Sequence, residues 1–424
     1  MSDMCIAPST LTGNVCVPTS KSVCHRALIC AGLAEGTSKI SGILLSDDII
    51  ATMHAMETLG AIIRQEEDSL IITGTNCTKP IDHMIACNES GSTLRFLIPL
   101  GLNGQTMTFS GTGKLVERPL HDYFNILDEQ MIPYQTTNGH LPLSVTGILT
   151  PGKFHLRGDV SSQFVSGLLF ALPRLEGDSS ITITTEMESK GYIDLTLSML
   201  ARFGIKIINH DYREFIVPGN QKYQSTNYHV EGDYSQVAFW LAAGTLGSPI
   251  CSTGLNPDSL QGDKVIVDLI KEMGGKLTQT DHSIEASPAI TKGIVIDASQ
   301  CPDLVPILAV LASVSDGTTQ IIRAGRLRIK ESDRLKAIAQ ELNILGADVK
   351  ENEDSLTIYG RRLLAGGVVD SWHDHRIAMA LAIASIACQT PVTIRHSECV
   401  SKSYPDFWRD FQMLGGKIYE RHLG

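Results

Sequence analysis

The stretch Arg334 to Tyr359, RLKAIAQELNILGADVKENEDSLTIY, decides the fold. Leu335, Ile338, Leu342 and Leu345 recur at helical spacing as far as Gly346, and the pattern then becomes that of a hairpin. Asp354-Ser355 forms the turn between Ala347-Asp348-Val349 and Leu356-Thr357-Ile358-Tyr359. The same helix ending recurs at Leu59-Gly60, Phe203-Gly204, Met273-Gly274 and Leu414-Gly415, with a degenerate copy at Gln130-Met131. Successive copies stand about 70 residues apart, so six units fill the chain.

Upstream of each such helix lies a β-like run, a polar cluster and a helix that is apolar nearly all round. The clusters are TSKS (19–22), ESGST (89–93), DVSSQ (159–163), DYSQ (233–236), CPD (301–303) and HDHR (373–376). Helices such as 164–172 and 304–313 are therefore expected to be buried, and each unit reads βαβαββ. Hydroxyl and acidic residues heading one helix are ordinarily N-caps. Six in equivalent places suggest a face of helix N-termini, where exposed N–H groups and dipole ends attract anions.

At 424 residues the chain exceeds the ~250–300 that one core sustains, so two domains are expected. A net charge of -11 argues against nucleic acid or an anionic membrane as the main partner. No basic segment followed by an apolar one opens the chain, and no apolar run nears the ~20 residues that span a bilayer. A cytoplasmic protein is expected. Ten cysteines (5, 16, 24, 30, 77, 87, 251, 301, 388 and 399) form no Cys-x-x-Cys pair, which points to reduced thiols and no structural metal.

Against that acidic background the cations are concentrated. Lys330-Glu331-Ser332-Asp333-Arg334 sets two cations and a carboxylate at a helix start, close enough to converge on a small anion. Asp374-His375-Arg376, Glu117-Arg118-Pro119, and Lys21 with Arg26 repeat the theme. One anion-binding cleft accounts for all four.

The ordered set SKS with Arg26, ERP, VSSQ, SKGYID, PD, KESDR, DHR and KSYPDF resembles the enolpyruvyl transferases from end to end, most closely the branch whose acceptor is shikimate 3-phosphate. The resemblance implies an α/β fold of two similar lobes, each of three βαβαββ units in an inverse α/β barrel-like arrangement. Buried parallel helices would turn their N-termini to an interdomain cleft. It implies lobes of 1–19 with 229–424 and of 20–228, with hinge crossings near 20 and 229 and closure on substrate. It also implies transfer of the enolpyruvyl group of phosphoenolpyruvate to the 5-hydroxyl by addition and elimination, without metal or other cofactor. Neither nucleic acid nor a membrane is expected as a partner, and the chain is expected to be a monomer.

Carried onto this chain, the family pattern assigns phosphoenolpyruvate to Lys21, Gly91, Arg118, Gln163, Arg334, Arg376 and Lys402. Shikimate 3-phosphate falls to Ser22, Arg26, Ser161, Ser162, Gln163, Ser189, Tyr192, Asp303, Arg326 and Lys330. Asp303 is the candidate base for the hydroxyl and Glu331 the candidate acid for the methylene carbon, with Lys21 a further acid or electrostatic stabiliser. His375 and Glu89 are cleft residues without an assigned role, and Asp48 and Asp233 read as caps or hinge contacts. Glu89 and Ser92 stand where many members carry Asn and Thr; Arg326, Gly191 and Phe96 also depart from common residues. Gly91 leaves room for glyphosate, so sensitivity is expected.

Three rival readings are weighed. The sister enzyme acting on UDP-N-acetylglucosamine carries a Cys in the loop before its Arg-Pro, and the loop 111–117 here has none. A catalytically silent binder would have lost Asp303 or Glu331. An RNA-end-processing enzyme on related repeats lacks the basic stripe it would need.

Overall fold

The computed structural model describes residues 2–76 and 80–422. The chain divides into two compact units, Met1–Pro18 with Glu231–Gly424, and Thr19–Val230. Among the described residues are twelve α-helices: α1 Lys21–Leu33, α2 Asp47–Thr58, α3 Gly91–Leu97, α4 His121–Glu129, α5 Ser162–Ala171, α6 Lys190–Arg202, α7 Tyr234–Leu246, α8 Ile266–Glu272, α9 Val305–Ser313, α10 Arg334–Ile344, α11 His375–Ala384 and α12 Phe407–Met413.

The described residues also form six four-stranded sheets, three in each unit. In each, two neighbouring strands run parallel and the other pairings are antiparallel, as in Val295–Asp297, Thr318–Ile322, Leu356–Tyr359 and Asp348–Glu351. Parallel strands need a crossover, which the first helix of the unit supplies, and a tight turn suffices for the hairpin. The βαβαββ reading matches this order.

Three strands depart from a simple copy-by-copy reading. Gly13–Cys16 precedes α1 in sequence but pairs with Ile250–Thr253, while Tyr228–His229 precedes α7 but pairs with Gly36–Ser41. Each lies before the point where the chain passes to the other unit, so it stays in the unit being left. The sixth unit takes its last strand from the N-terminus: Ser2–Ala7 lies between Val392–Arg395 and Lys417–His422. Such exchanges are non-local pairings that local periodicity does not report.

The odd-numbered helices form the centres of the units. Val305–Ser313 and His375–Ala384 are buried along their whole length, and Trp240 of α7 stacks on Phe407 at 5.2 Å inside the apolar core. Thr19–Val230 has its own core, with Phe96, Phe164 and Phe170 buried. The polar clusters do cap these helices. Ser20, Ser90, Ser161, Asp233 and Asp374 each accept a backbone N–H of the first turn. α9 has no side-chain cap; the CPD cluster enters it through a 3-10 turn, Pro302–Leu304.

The repeat is also written in backbone geometry. Gly60, Gly204, Gly274, Gly346 and Gly415 all take φ between 81° and 105°, the left-handed end of their helices. Met131, the degenerate copy, has φ 54° and an 88 % exposed side chain. A side chain in that conformation costs about 1 kcal/mol that glycine does not incur, and here it packs on little in return. Met131→Gly should therefore raise the unfolding free energy by about 0.5–1 kcal/mol, read from chemical denaturation at constant m. Destabilisation would show that the Met131 side chain contributes more than its exposure indicates.

Candidate active site

The first candidate cluster is built entirely within the unit Met1–Pro18 with Glu231–Gly424. Lys330 and Glu331 lie before α10, whose N-cap is Asp333, so their convergence with Arg334 comes from a loop rather than a helical turn. Arg334, 1 % exposed, donates from Nε to Asp374 Oδ2 (2.7 Å), from Nη1 to Asp303 Oδ1 (2.9 Å), and from Nη2 to Glu331 Oε2 (2.6 Å) and Asp374 Oδ1 (3.2 Å). Four of its five N–H donors are thereby committed to carboxylates.

Asp303 receives two further cations, Arg376 Nη2 at 3.1 Å and Lys330 Nζ at 3.6 Å. Burial alone would raise the Asp303 carboxyl, but Arg376, Lys330 and Arg334 outweigh it and hold it well below the usual carboxylate range. Burial lowers the Lys330 ammonium, with Asp303 opposing and Arg334 and Arg326 reinforcing. Arg334 is held charged: burial opposes it, and Asp374, Glu331 and Asp303 prevail. Three cations against three carboxylates make this lattice close to neutral, so attraction for an anion must come from its surroundings.

Those surroundings are helix starts. Arg376 donates from Nη2 to Ser235 Oγ (3.0 Å) at the head of α7 and from Nη1 to the Asp303 carbonyl (3.3 Å) leading into α9, while Asp374 caps α11. The heads of α7, α9 and α11 thus come together, the geometry that favours negative charge. Lys402 Nζ donates to the His373 carbonyl (2.7 Å) and Arg326 Nη2 to the Ser299 carbonyl (2.8 Å). His375 is buried, with Nδ1 4.0 Å from Asp374 Oδ1.

A second cluster lies within Thr19–Val230. A Cβ on Gly91 would stand 2.6 Å from Arg118 Nη1, 3.3 Å from Arg95 Nη1 and 3.5 Å from Gln163 Oε1, so only glycine leaves these groups side by side. Gln163 Oε1 accepts from Arg95 Nη1 (2.8 Å) and its amide donates to Ser92 Oγ (3.0 Å). The Glu89 carboxylate lies against Gly113, in the loop that leads to Arg118.

Lys21 Nζ meets Asp48 Oδ2 at 2.6 Å. Arg26, 2 % exposed, donates to Thr196 Oγ1 (2.8 Å) and to the carbonyls of Ser22 (2.7 Å) and Tyr192 (2.9 Å), with its guanidinium 5.1 Å from the Phe96 ring centre. Burial lowers it to about 10. Arg26 therefore fixes Ser22 and Tyr192 relative to each other. Ser161 caps α5, Ser162 is buried beside it, and Ser189 precedes α6 with φ 55°.

Three residues make contacts that their sequence context does not announce. Asp48 does sit in the first turn of α2, but its side chain pairs with Lys21 instead of serving only as a cap. Asp374 both caps α11 and holds Arg334; the second task joins residues 40 apart and leaves no local signal. Arg95 lies one helical turn after Gly91, a spacing that could have flagged it. Among the described residues no group of three or more His, Cys, Asp or Glu could hold a metal ion, no helix is long and apolar enough to cross a membrane, and nine cysteines are free thiols. Cys77 lies outside the described residues.

The depressed Asp303 carboxyl has a stability consequence. Its folded value lies below the unfolded value of about 3.9, so its contribution is complete above that pH and is lost as the pH falls through the lower folded value. Asp303→Asn should cost about 3–5 kcal/mol at pH 7, because the buried Arg334 and Arg376 and the half-buried Lys330 lose a shared partner. The gap between parent and variant in denaturant melts should close below about pH 4. A gap independent of pH would contradict the ion-pair account.

Residues 6–411 match the EPSP synthase (3-phosphoshikimate 1-carboxyvinyltransferase) family. The chain is 56% identical over 420 residues to a 3-phosphoshikimate 1-carboxyvinyltransferase of Clostridium kluyveri, covering 99% of each chain. It is 54% identical over 434 residues to one of Clostridium novyi, covering 100% of each. Among solved structures it is similar to the EPSP synthase of Acinetobacter baumannii, with a TM-score of 0.83 at 27% identity over 100% of both chains. The enolpyruvyl transferase NikO of Streptomyces tendae shares the fold, with a TM-score of 0.81 at 18% identity over 99% of both chains. With the match spanning nearly the whole chain, the protein belongs to the EPSP synthase family.

Proposed function

We propose that the protein carries out the reaction for which its family is named with the two clusters described above acting on one pair of substrates. The chain is a transferase of the shikimate pathway. Phosphoenolpyruvate engages Lys21, Gly91, Arg118 and Gln163 of one unit and Arg334, Arg376 and Lys402 of the other. Shikimate 3-phosphate engages Ser22, Arg26, Ser161, Ser162, Gln163, Ser189 and Tyr192, together with Asp303, Arg326 and Lys330. The peptide links at Pro18–Thr19 and Val230–Glu231 act as the hinges for closure, and the working form is a cytoplasmic monomer that uses no cofactor.

The observation that carries the reading is the shared guanidinium: Arg334 binds Asp303 and Glu331 at once. With four of its five N–H donors committed, a carboxylate that binds Arg334 through two nitrogens displaces one of its partners. Asp374 is held at two nitrogens and Asp303 also meets Arg376 and Lys330, so Glu331 is the partner exchanged. Displaced from Arg334, it takes up a proton from solvent and delivers it to C3 of phosphoenolpyruvate as the 5-oxygen bonds to C2, while Asp303 takes the hydroxyl proton. In the elimination Glu331 takes the C3 proton back, the C2–O bond to phosphate breaks, and the proton on Asp303 leaves with the phosphate. Asp303 accepts best when substrate anions draw charge from Arg376 and Lys330, which in the resting state suppress its basicity. Lys21 stabilises the departing phosphate as a point charge.

Purified protein should release inorganic phosphate only when phosphoenolpyruvate and shikimate 3-phosphate are both present, and not when UDP-N-acetylglucosamine replaces the latter. Glu331→Gln and Asp303→Asn should each lower kcat by at least ~100-fold and leave shikimate 3-phosphate binding largely intact. Near-parental turnover in both variants would remove the acid/base assignment.

A further inference from the structure

Lys402 is seated on a backbone carbonyl whose position is itself constrained. The carbonyl belongs to His373, which follows Trp372, and these two consecutive residues have φ 53° and 55°. Residues with side chains hold such angles only where their surroundings over-determine them. The surroundings here are dense. Asp370 Oδ1 accepts the Trp372 N–H at 2.6 Å, Ser371 Oγ accepts the His373 N–H at 3.2 Å, and the His373 ring lies 4.1 Å from that of His396. Ser371 Oγ also donates to the His396 carbonyl (3.0 Å), and His396 Nδ1 lies 3.2 Å from Asp370 Oδ2.

Behind this turn stands Glu341 of α10, 1 % exposed. Its Oε2 accepts the Asp370 N–H (2.9 Å) and its Oε1 the Trp372 indole N–H (2.8 Å). Both donors are neutral, so this buried carboxylate is spent on holding a main-chain turn, an expensive use unless the turn must be placed accurately. The residues that follow are Asp374, which anchors Arg334, and Arg376, which meets Asp303.

We propose that Glu341 is a positioning residue for phosphoenolpyruvate binding, acting through Trp372 and Asp370 to hold the His373 carbonyl as the seat of Lys402. The inference rests on Lys402 contacting phosphoenolpyruvate, as assigned above. Trp372→Phe removes the indole donor at little cost in volume, and Glu341→Gln removes one of the two acceptors.

Each variant should raise KM for phosphoenolpyruvate about tenfold, with kcat within about twofold and KM for shikimate 3-phosphate unchanged. In a Lys402→Met background the same substitutions should add nothing, since the seat then has no occupant. An unchanged KM for phosphoenolpyruvate in a folded variant, or full additivity with Lys402→Met, overturns the proposal while leaving the role of Lys402 intact. If Lys402→Met itself leaves that KM unchanged, the assignment of Lys402 fails and the seat falls with it. Should Glu341→Gln not fold, Trp372→Phe decides alone, because it leaves the carboxylate in place.

Discussion

Arg334 is almost completely buried, and a buried guanidinium is tolerable only when its charge and its N–H donors are matched. Three carboxylates from three places in the chain do this: Glu331 before α10, Asp303 ahead of α9 and Asp374 at the head of α11. That one side chain therefore ties the entries of three helices together. Losing any partner would leave charge unmatched in a place that water reaches poorly.

The repeat makes this possible. Each repeat opens its apolar crossover helix with a polar cluster, and repetition brings the starts of α7, α9 and α11 to one place, where their clusters bond to each other. Side chains of Asp233 and Asp374 cap the first turns of α7 and α11. Glycine is needed where the site demands contact of main chain with cations, as at Gly91 under Arg118, and where helices end, as at Gly346. In the other unit Arg26 has an inward role, orienting Ser22 and Tyr192 from below.

Much of the fold was legible because it is local and repeated. The spacing of Leu335 to Gly346 and the hairpin after it announce the unit, and the polar clusters announce the helix starts. What escaped is what joins distant segments. The strands Gly13–Cys16 and Tyr228–His229 pair away from their sequence neighbours, and Ser2–Ala7 completes the last sheet. In the same way Lys330, Glu331 and Arg334 could be seen to belong together, but Asp374 as the deepest partner of Arg334 could not, because an aspartate before a buried helix looks the same whether it caps or also anchors. The Lys21–Asp48 pair was hidden for the same reason.

The proposed anion site depends on the planar fork of Arg334, matched to Asp303, Glu331 and Asp374. The direct measurement is the equilibrium affinity for phosphoenolpyruvate of Arg334→Lys enzyme saturated with shikimate 3-phosphate. Lysine keeps the charge but cannot serve three carboxylates with fixed geometry. The account predicts a loss of at least ~100-fold with shikimate 3-phosphate binding retained, the scale for breaking a buried hydrogen-bonded charge pair. A folded Arg334→Lys enzyme that binds phosphoenolpyruvate like the parent would contradict it.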